Sequence, residues 1–454
     1  MRFFRTSPEK LPAAESEMIF SKQDLKQLLL PLLAEQFLVV LIGMMDTIMV
    51  SYCGESAMSG VSLVDSINVL LIGVFSALAT GGAVLVSQYL GQKRPDAAKT
   101  AAKMLFYVVL LVSLAIMAVC LIFRKPLLFA IFGNVEEDVM TASQIYFLMS
   151  ALSYPVMAIY NAYCALLRCI GNPRATMFSS FIMNIVNLIG NSVTIFWLGW
   201  GVMGAAVATV AGQVITAAMG VWYLCHTKAL RLGKDDFKLR GEILAAYLPL
   251  GLCSFLAQIS LVIAMAATNN MLVQYGAGSK YGADIPLTVL GIVMKVFQII
   301  ISITIGMSAG CIPIVGYNYG AEQYGRCRGI LWRLMGAEFA LGVLALLVTQ
   351  LFPRQLIGLF GAESALYNEF AVLTFRVYLC MLPLATVNKA AFIFMQALGR
   401  PVESAGLSFF REVLLAVPLA FGLMGVLYSM PAADIVTFLA SAFVLVRTDR
   451  QLRK

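Results

Sequence analysis

The chain has 454 residues, of which 60% are hydrophobic and only 12% charged, with a net charge of +8. A soluble domain of this size needs more polar surface than that composition supplies, so the expectation is an all-α, polytopic membrane protein. Unbroken apolar runs without period-2 alternation exclude a β-barrel, and the opening MRFFRTSPEKLPAAESEMIFSKQ lacks the apolar core of a cleavable leader.

The apolar runs fall near 26–52, 59–89, 99–123, 138–169, 174–199 and 202–226. After the polar stretch HTKALRLGKDDFKLRG they resume near 242–274, 285–317, 327–352, 365–397, 402–424 and 425–447. A helix needs about 20 residues to cross the hydrocarbon, so about twelve spans are expected. The organisation is a tail (1–24), a six-span lobe (25–226), a linker (227–241), a second six-span lobe (242–447) and a short tail (448–454).

Charge follows topology. Of the 32 Lys and Arg, 24 lie in the termini and in loops of one face, and four (Arg124, Lys125, Lys280, Arg354) in loops of the other. By the positive-inside rule both termini are cytoplasmic, in the cell's inner (plasma) membrane, and the basicity is no nucleic-acid patch. Isolated cysteines without metal spacing, and His226 as the sole histidine at a span end, leave no metal or triad site. An enzyme is therefore not expected.

The halves repeat each other. VSQYLGQKRPDAAK (86–99) answers IVGYNYGAEQYGRCR (314–328), and LLRCIGNPRATMFSS (166–180) answers FMQALGRPVESAGLS (394–408). Gly171 then pairs with Gly399, Pro173 with Pro401, and Pro31 with Pro249. Six spans is an even number, so both halves enter from the same side as parallel repeats. Carriers that rock one bundle against another are built this way; a channel fits less well.

Polar residues within spans carry the functional argument, because a buried charge costs at least ~2.5 kcal/mol. The first span holds Asp46 toward its far end and Pro31 near its start, where a missing backbone donor favours a bend. Glu35, nearer the cytoplasmic end, reads as hydrated, and Asp65 is a further acid in the second span. Asn184, Asn187 and Asn191 in the fifth span share a face by their spacing of three and four. With Asn161 and Thr209 they offer neutral oxygens beside Asp46, which suits a hard monovalent cation or a protonatable acid. The second lobe differs: Asn269 falls opposite Asp46, and the spans contain Lys295, Arg376, Lys389 and Arg411. Glu338, Glu412 and Asp434 are their candidate partners, either in internal ion pairs or lining a cavity that attracts anions.

These motifs together resemble the multidrug and toxic compound extrusion (MATE) family. They are P…MDTIMV in the first span, LLRCIGNPR, GWGVMGAAVAT, GYNYGA, MQALGRP and PAAD at 431–434. The resemblance covers about residues 20–447. It implies two six-helix lobes, a central cavity and export of amphipathic, cationic drugs in exchange for entering Na⁺ or H⁺. It assigns the coupling cation to Asp46, Asn161, Asn187, Asn191 and Thr209, with Pro31 as hinge. The family often has aspartate where this chain has Asn191, which removes one charge. The seventh span offers Gln258 rather than an acid. No cofactor beyond the coupling ion, no nucleic acid and no obligate protein partner are expected, and lipid surrounds the chain. The alternative is a flippase for lipid-linked saccharide or peptidoglycan precursor, with the second-lobe cations facing a pyrophosphate.

Overall fold

The computed structural model describes residues 22–132, 137–226, 241–282, 284–358, 365–417 and 421–453. The expected N-terminal tail (through residue 21) and the linker (227–240) lie outside the described residues. The described residues are almost entirely helical. Helix α1 spans Lys22–Ser51, α2 Glu55–Gly91, α3 Pro95–Ile122, α4 Arg124–Phe132 and α5 Glu137–Cys169. Helix α6 (Pro173–Asn191) runs on into a π-helical turn, Ser192–Trp197, and α7 is Gly201–His226. The second half holds α8 (Gly241–Ala277), α9 (Asp284–Gly320), α10 (Tyr324–Leu351) and the short α11 (Pro353–Gly358). Then come α12 (Ala365–Tyr378), α13 (Leu382–Ala397), α14 (Pro401–Phe409, extended by a π-helical turn Phe410–Ala416) and α15 (Gly422–Gln451).

Among the described residues, eight helices are long and apolar enough to cross a membrane, and a bent pair makes nine. The chain is a multi-pass membrane protein. Large side chains such as Leu111, Ile122, Leu439 and Phe443 stand exposed on these helices, as lipid-facing residues do.

Two details depart from the expected spans. The run 365–397 is broken: α12 and α13 meet at 50° across residues 379–381, because Pro383 at the start of α13 has no backbone donor to continue the ladder. The boundary expected at 424/425 falls earlier, at Gly422, whose φ of 75° starts a new helix in a conformation L-residues avoid. Nothing polar marks that turn, which is why hydropathy misplaced it.

The chain forms two compact units, the first ending at Gly251 and the second beginning at Leu252. The opening turns of α8 count with the first unit because Tyr247, 1% exposed, donates its hydroxyl to the Leu78 carbonyl at 3.0 Å.

The repeat reappears in the backbone itself. After α2, Arg94 N–H donates to Tyr89 O and Lys93 N–H to Leu90 O; after α9, Gln323 N–H donates to Asn318 O and Glu322 N–H to Tyr319 O. The loop after α5 closes with Asn172 N–H on Leu167 O, and that after α13 with Arg400 N–H on Met395 O. Among the described residues, Lys93 (φ 56°) and Glu322 (φ 59°) are the left-handed non-glycine residues, while Gly171 (φ 76°) and Gly399 (φ 75°) occupy the other matched pair. Such helix ends satisfy the last carbonyls by turning one residue left-handed.

The strain should therefore mirror between halves. Gly171→Ala and Gly399→Ala are each expected to cost about 1 kcal/mol, whereas Lys93→Gly and Glu322→Gly should cost nothing or stabilise, read by thermal unfolding in detergent.

Candidate cation-binding site

The site begins with α6. Pro173 opens the helix and the Asn172 side chain caps it, its Oδ1 accepting from Ala175 N–H at 3.3 Å. From there Asn187 and Asn191 share one face, 2% and 0% exposed. Asn191 Nδ2 donates to Asp46 Oδ1 at 2.6 Å and to Asn187 Oδ1 at 3.1 Å, using both amide hydrogens. Asn187 Nδ2 in turn donates to Thr209 Oγ1 at 3.0 Å on α7. The carboxylate on α1 is thus tied through two amides to α7. The α-helix gives way to the π-helical turn directly after Asn191, a local widening common at functional sites.

Two expected members behave differently. Asn161 turns its amide nitrogen to Met157 O on its own helix at 2.9 Å, and Asn184 does the same to Ser180 O at 2.8 Å. Neither amide donates to Asp46. Helix α1 runs continuously from Lys22 to Ser51 with Pro31 inside it, one backbone bond short at that residue.

Asp46 and Thr209 also line a small cavity with Val50, Met58, Val61, Ser62, Asp65, Tyr146 and Ala205. Its volume is ≈ 10 Å³, about the room of one water or small cation. Asp65, Ser62 and Tyr146 had no part in the sequence-derived site. Asp65 was visible as an intramembrane acid, but no spacing rule joins α2 to α1. Among the described residues no Lys or Arg forms an ion pair with Asp46 or Asp65.

Glu35 corrects the sequence reading. It is 3% exposed rather than hydrated. Its Oε1 accepts from Arg168 Nη2 at 2.6 Å and its Oε2 from Thr176 Oγ1 at 2.7 Å. The partner is 133 residues away in sequence, so helix periodicity could not find it.

The second unit holds a different charge cluster. Arg411 Nε donates to Asp434 Oδ1 at 2.6 Å, and its Nη1 pairs with Glu412. Asn388 Nδ2 donates to the Asp434 carbonyl at 3.0 Å. Lys389 is half-buried beside this group, coupled electrostatically to Glu412 and Arg411. Internal pairing therefore accounts for Arg411. It does not account for Lys295 and Arg376, which are exposed and form no ion pair among the described residues. Glu338, offered as a partner for these cations, instead accepts from Ser308 Oγ at 3.0 Å while fully buried. The Gln258 side chain lies outside the described ones.

Among the described residues, a bundle of long apolar helices holds a carboxylate that an amide binds and no cation pairs, a pattern that marks ion pathways in membrane proteins. The sequence model described as MatE matches residues 31–193 and 254–421, and the chain belongs to that family. An uncharacterised transporter YisQ of Bacillus subtilis (strain 168) is 27% identical over 95% of this chain and 94% of the relative. The multidrug export protein MepA of Staphylococcus aureus (strain N315) is 23% identical over 96% and 94%. A solved outward-facing multidrug resistance MATE family transporter of the MOP superfamily superposes with a TM-score of 0.89 at 20% identity, covering 95% of this chain and 97% of that one. At that identity the likeness speaks for the fold.

The Glu35–Arg168 pair generates a stability prediction. Glu35→Ala leaves the Arg168 cation without its acceptor, while the Thr176 hydroxyl keeps the Pro173 carbonyl at 2.8 Å; it should cost about 3 kcal/mol, the lower end for a buried pair because Arg168 keeps 22% exposure. The double variant Glu35→Ala/Arg168→Met should recover most of it in a thermal-unfolding double-mutant cycle.

Proposed function

We propose that the chain is a secondary transporter of the plasma membrane that exports amphipathic, cationic drugs in exchange for Na⁺ or H⁺ entering the cell. The observation that carries this is the 2.6 Å bond from the Asn191 amide to the Asp46 carboxylate. Neutral donors hold the acid in place without neutralising it, so its counter-charge must come and go. The export of drugs by a 23%-identical relative of nearly equal length supports the substrate class.

In this reading residues 25–226 and 242–447 are the two lobes, with the linker and both termini cytoplasmic. Outward-open protein takes a cation at Asp46. The bound charge relaxes the pull of Asp46 on Asn191, and α1 bends near Pro31, where one ladder bond is missing. The bend closes the space that drug occupied, and cation release to the cytoplasm lets substrate bind again. Asn187 and Thr209 position Asn191, so the acid's geometry depends on α6 and α7 together.

The magnitudes are of the same order. Inverting a two-state ratio from 1:99 to 99:1 requires about 5.5 kcal/mol of differential binding. A charge crossing the membrane supplies about 2.3 kcal/mol per 100 mV, to which an ion gradient adds. The flippase reading loses one of the second-lobe cations it would set against a pyrophosphate, because Arg411 is already engaged by Asp434 and Glu412.

The test is ethidium transport in proteoliposomes with Na⁺ and pH gradients imposed separately. One gradient should accelerate transport in the wild type, and Asp46→Asn should abolish that acceleration with the protein still folded. Equal gradient-driven transport by Asp46→Asn would remove Asp46 from the coupling role.

A further inference from the structure

Three features of the surroundings of Asp46 converge on α2. First, the ≈ 10 Å³ cavity has an acid on each of two helices, Asp46 on α1 and Asp65 on α2, with hydroxyl-bearing Ser62, Tyr146 and Thr209 also lining it. All of these are oxygen donors of the kind hard cations take. Second, Asn191 is 0% exposed and its Oδ1 has no hydrogen-bond partner, although the same amide's nitrogen reaches Asp46. Asn191 is not part of the cavity wall, but the amide that holds the Asp46 carboxylate keeps an unpaired buried acceptor, which a positive guest at Asp46 would help to satisfy. Third, the donors that touch Asp65 are neutral and fixed beforehand. Asn68 Nδ2 reaches Asp65 Oδ1 at 3.3 Å, while the same amide bonds Ser150 Oγ at 3.2 Å and accepts from Tyr154 O–H at 3.1 Å. The Tyr146 hydroxyl, on a side chain 5% exposed, also interacts with Asp65.

We propose that Asp65 is the second acidic member of the coupling site, so that the transported cation is held between Asp46 on α1 and Asp65 on α2. This rests on the reading of Asp46 as the coupling acid and extends it. The position nearest Asp46 on α6 is the neutral Asn191, and the missing negative charge is supplied across the cavity instead. The groups that face the pair are Asn68 on α2, Tyr146 and Tyr154 on α5, Asn187 and Asn191 on α6, and Thr209 on α7. None carries positive charge. Two like charges sharing one small cavity repel, and a single small cation, Na⁺ or a proton, relieves that repulsion for both at once. Its arrival would draw α1 toward α2, and its release would let them part, which couples ion occupancy to the position of the helix that carries Pro31.

The experiment uses the full chain in lipid nanodiscs. One arm titrates NaCl against choline chloride at constant ionic strength and fixed pH. The other varies pH without Na⁺. The readout is the cation concentration giving half the rise in melting temperature. Asp65→Asn should raise that concentration at least tenfold in whichever arm the wild type responds to. Asp65→Asn/Asn191→Asp places a carboxylate back within reach of Asp46 and should bring it within threefold of wild type, a rescue that a merely structural Asp65 would not permit. A single variant within threefold of wild type, or a double variant no better than the single, overturns the proposal. Should Asp65→Asn not fold, Tyr146→Phe keeps both charges while removing a hydroxyl at Asp65. It should shift the midpoint at least threefold, and an unchanged midpoint is equally fatal. Asp46→Asn separates the two ideas. If it responds like wild type, the coupling reading itself fails. If it is unresponsive while Asp65→Asn responds normally, only the role of Asp65 fails.

Discussion

A carboxylate held by neutral amides inside a low-dielectric bundle is the constraint from which the first unit takes its form. Water is scarce there, so the donors must be built in, and Asn191 gives both of its amide hydrogens to the task. That commits α6 to present Asn187 and Asn191 on one face, α7 to present Thr209, and α1 to run alongside both. The same region contrasts with Glu35 on the same helix, which is neutralised outright by Arg168. One acid on α1 is paired internally; in our proposal the other takes its counter-charge from an entering ion.

The second unit solves the problem of buried charge in the first manner. Arg411 lies between Asp434 and Glu412, all at most 6% exposed. Breaking such a cluster is costly, and replacing it wholesale with apolar residues is often not. Its persistence therefore fits specificity of packing along the π-helical turn that carries Arg411 and Glu412. The asymmetry is notable because the backbones repeat closely, down to the matched left-handed residues Lys93 and Glu322. The two halves share a scaffold and divide the chemistry.

Much of this was legible in the sequence, for identifiable reasons. Spans follow from hydropathy because the bilayer sets a length that a run of side chains either meets or does not. The repeat was readable because helix ends need a residue that tolerates left-handed φ, and Gly171 and Gly399 advertise it. The amide pair Asn187 and Asn191 followed from helical spacing. The rest depended on contacts between helices. Glu35 looked solvated because its distance from the span end was known and its partner was not. The resemblance assigns Asn161 to the site, and the turn of its nitrogen back to Met157 on the preceding turn is a contact that no family motif announces. Asp65 and Tyr146 meet only because α2 packs against α5, and no periodicity within either helix encodes that meeting. The 50° break between α12 and α13 was equally silent, since one proline in an apolar run reads the same whether the helix bends or ends.

The central claim is that an ion at Asp46 and a drug elsewhere compete for the same conformational choice. Thermodynamic linkage makes that claim reciprocal: if the ion moves drug, the drug must move the ion. The most direct measurement is ion flux, by pyranine or a Na⁺ indicator, when an ethidium gradient alone is imposed across proteoliposomes at zero potential. Opposing ion movement that vanishes in Asp46→Asn is the predicted result. Ethidium running down its gradient with no ion movement in the wild type would contradict it.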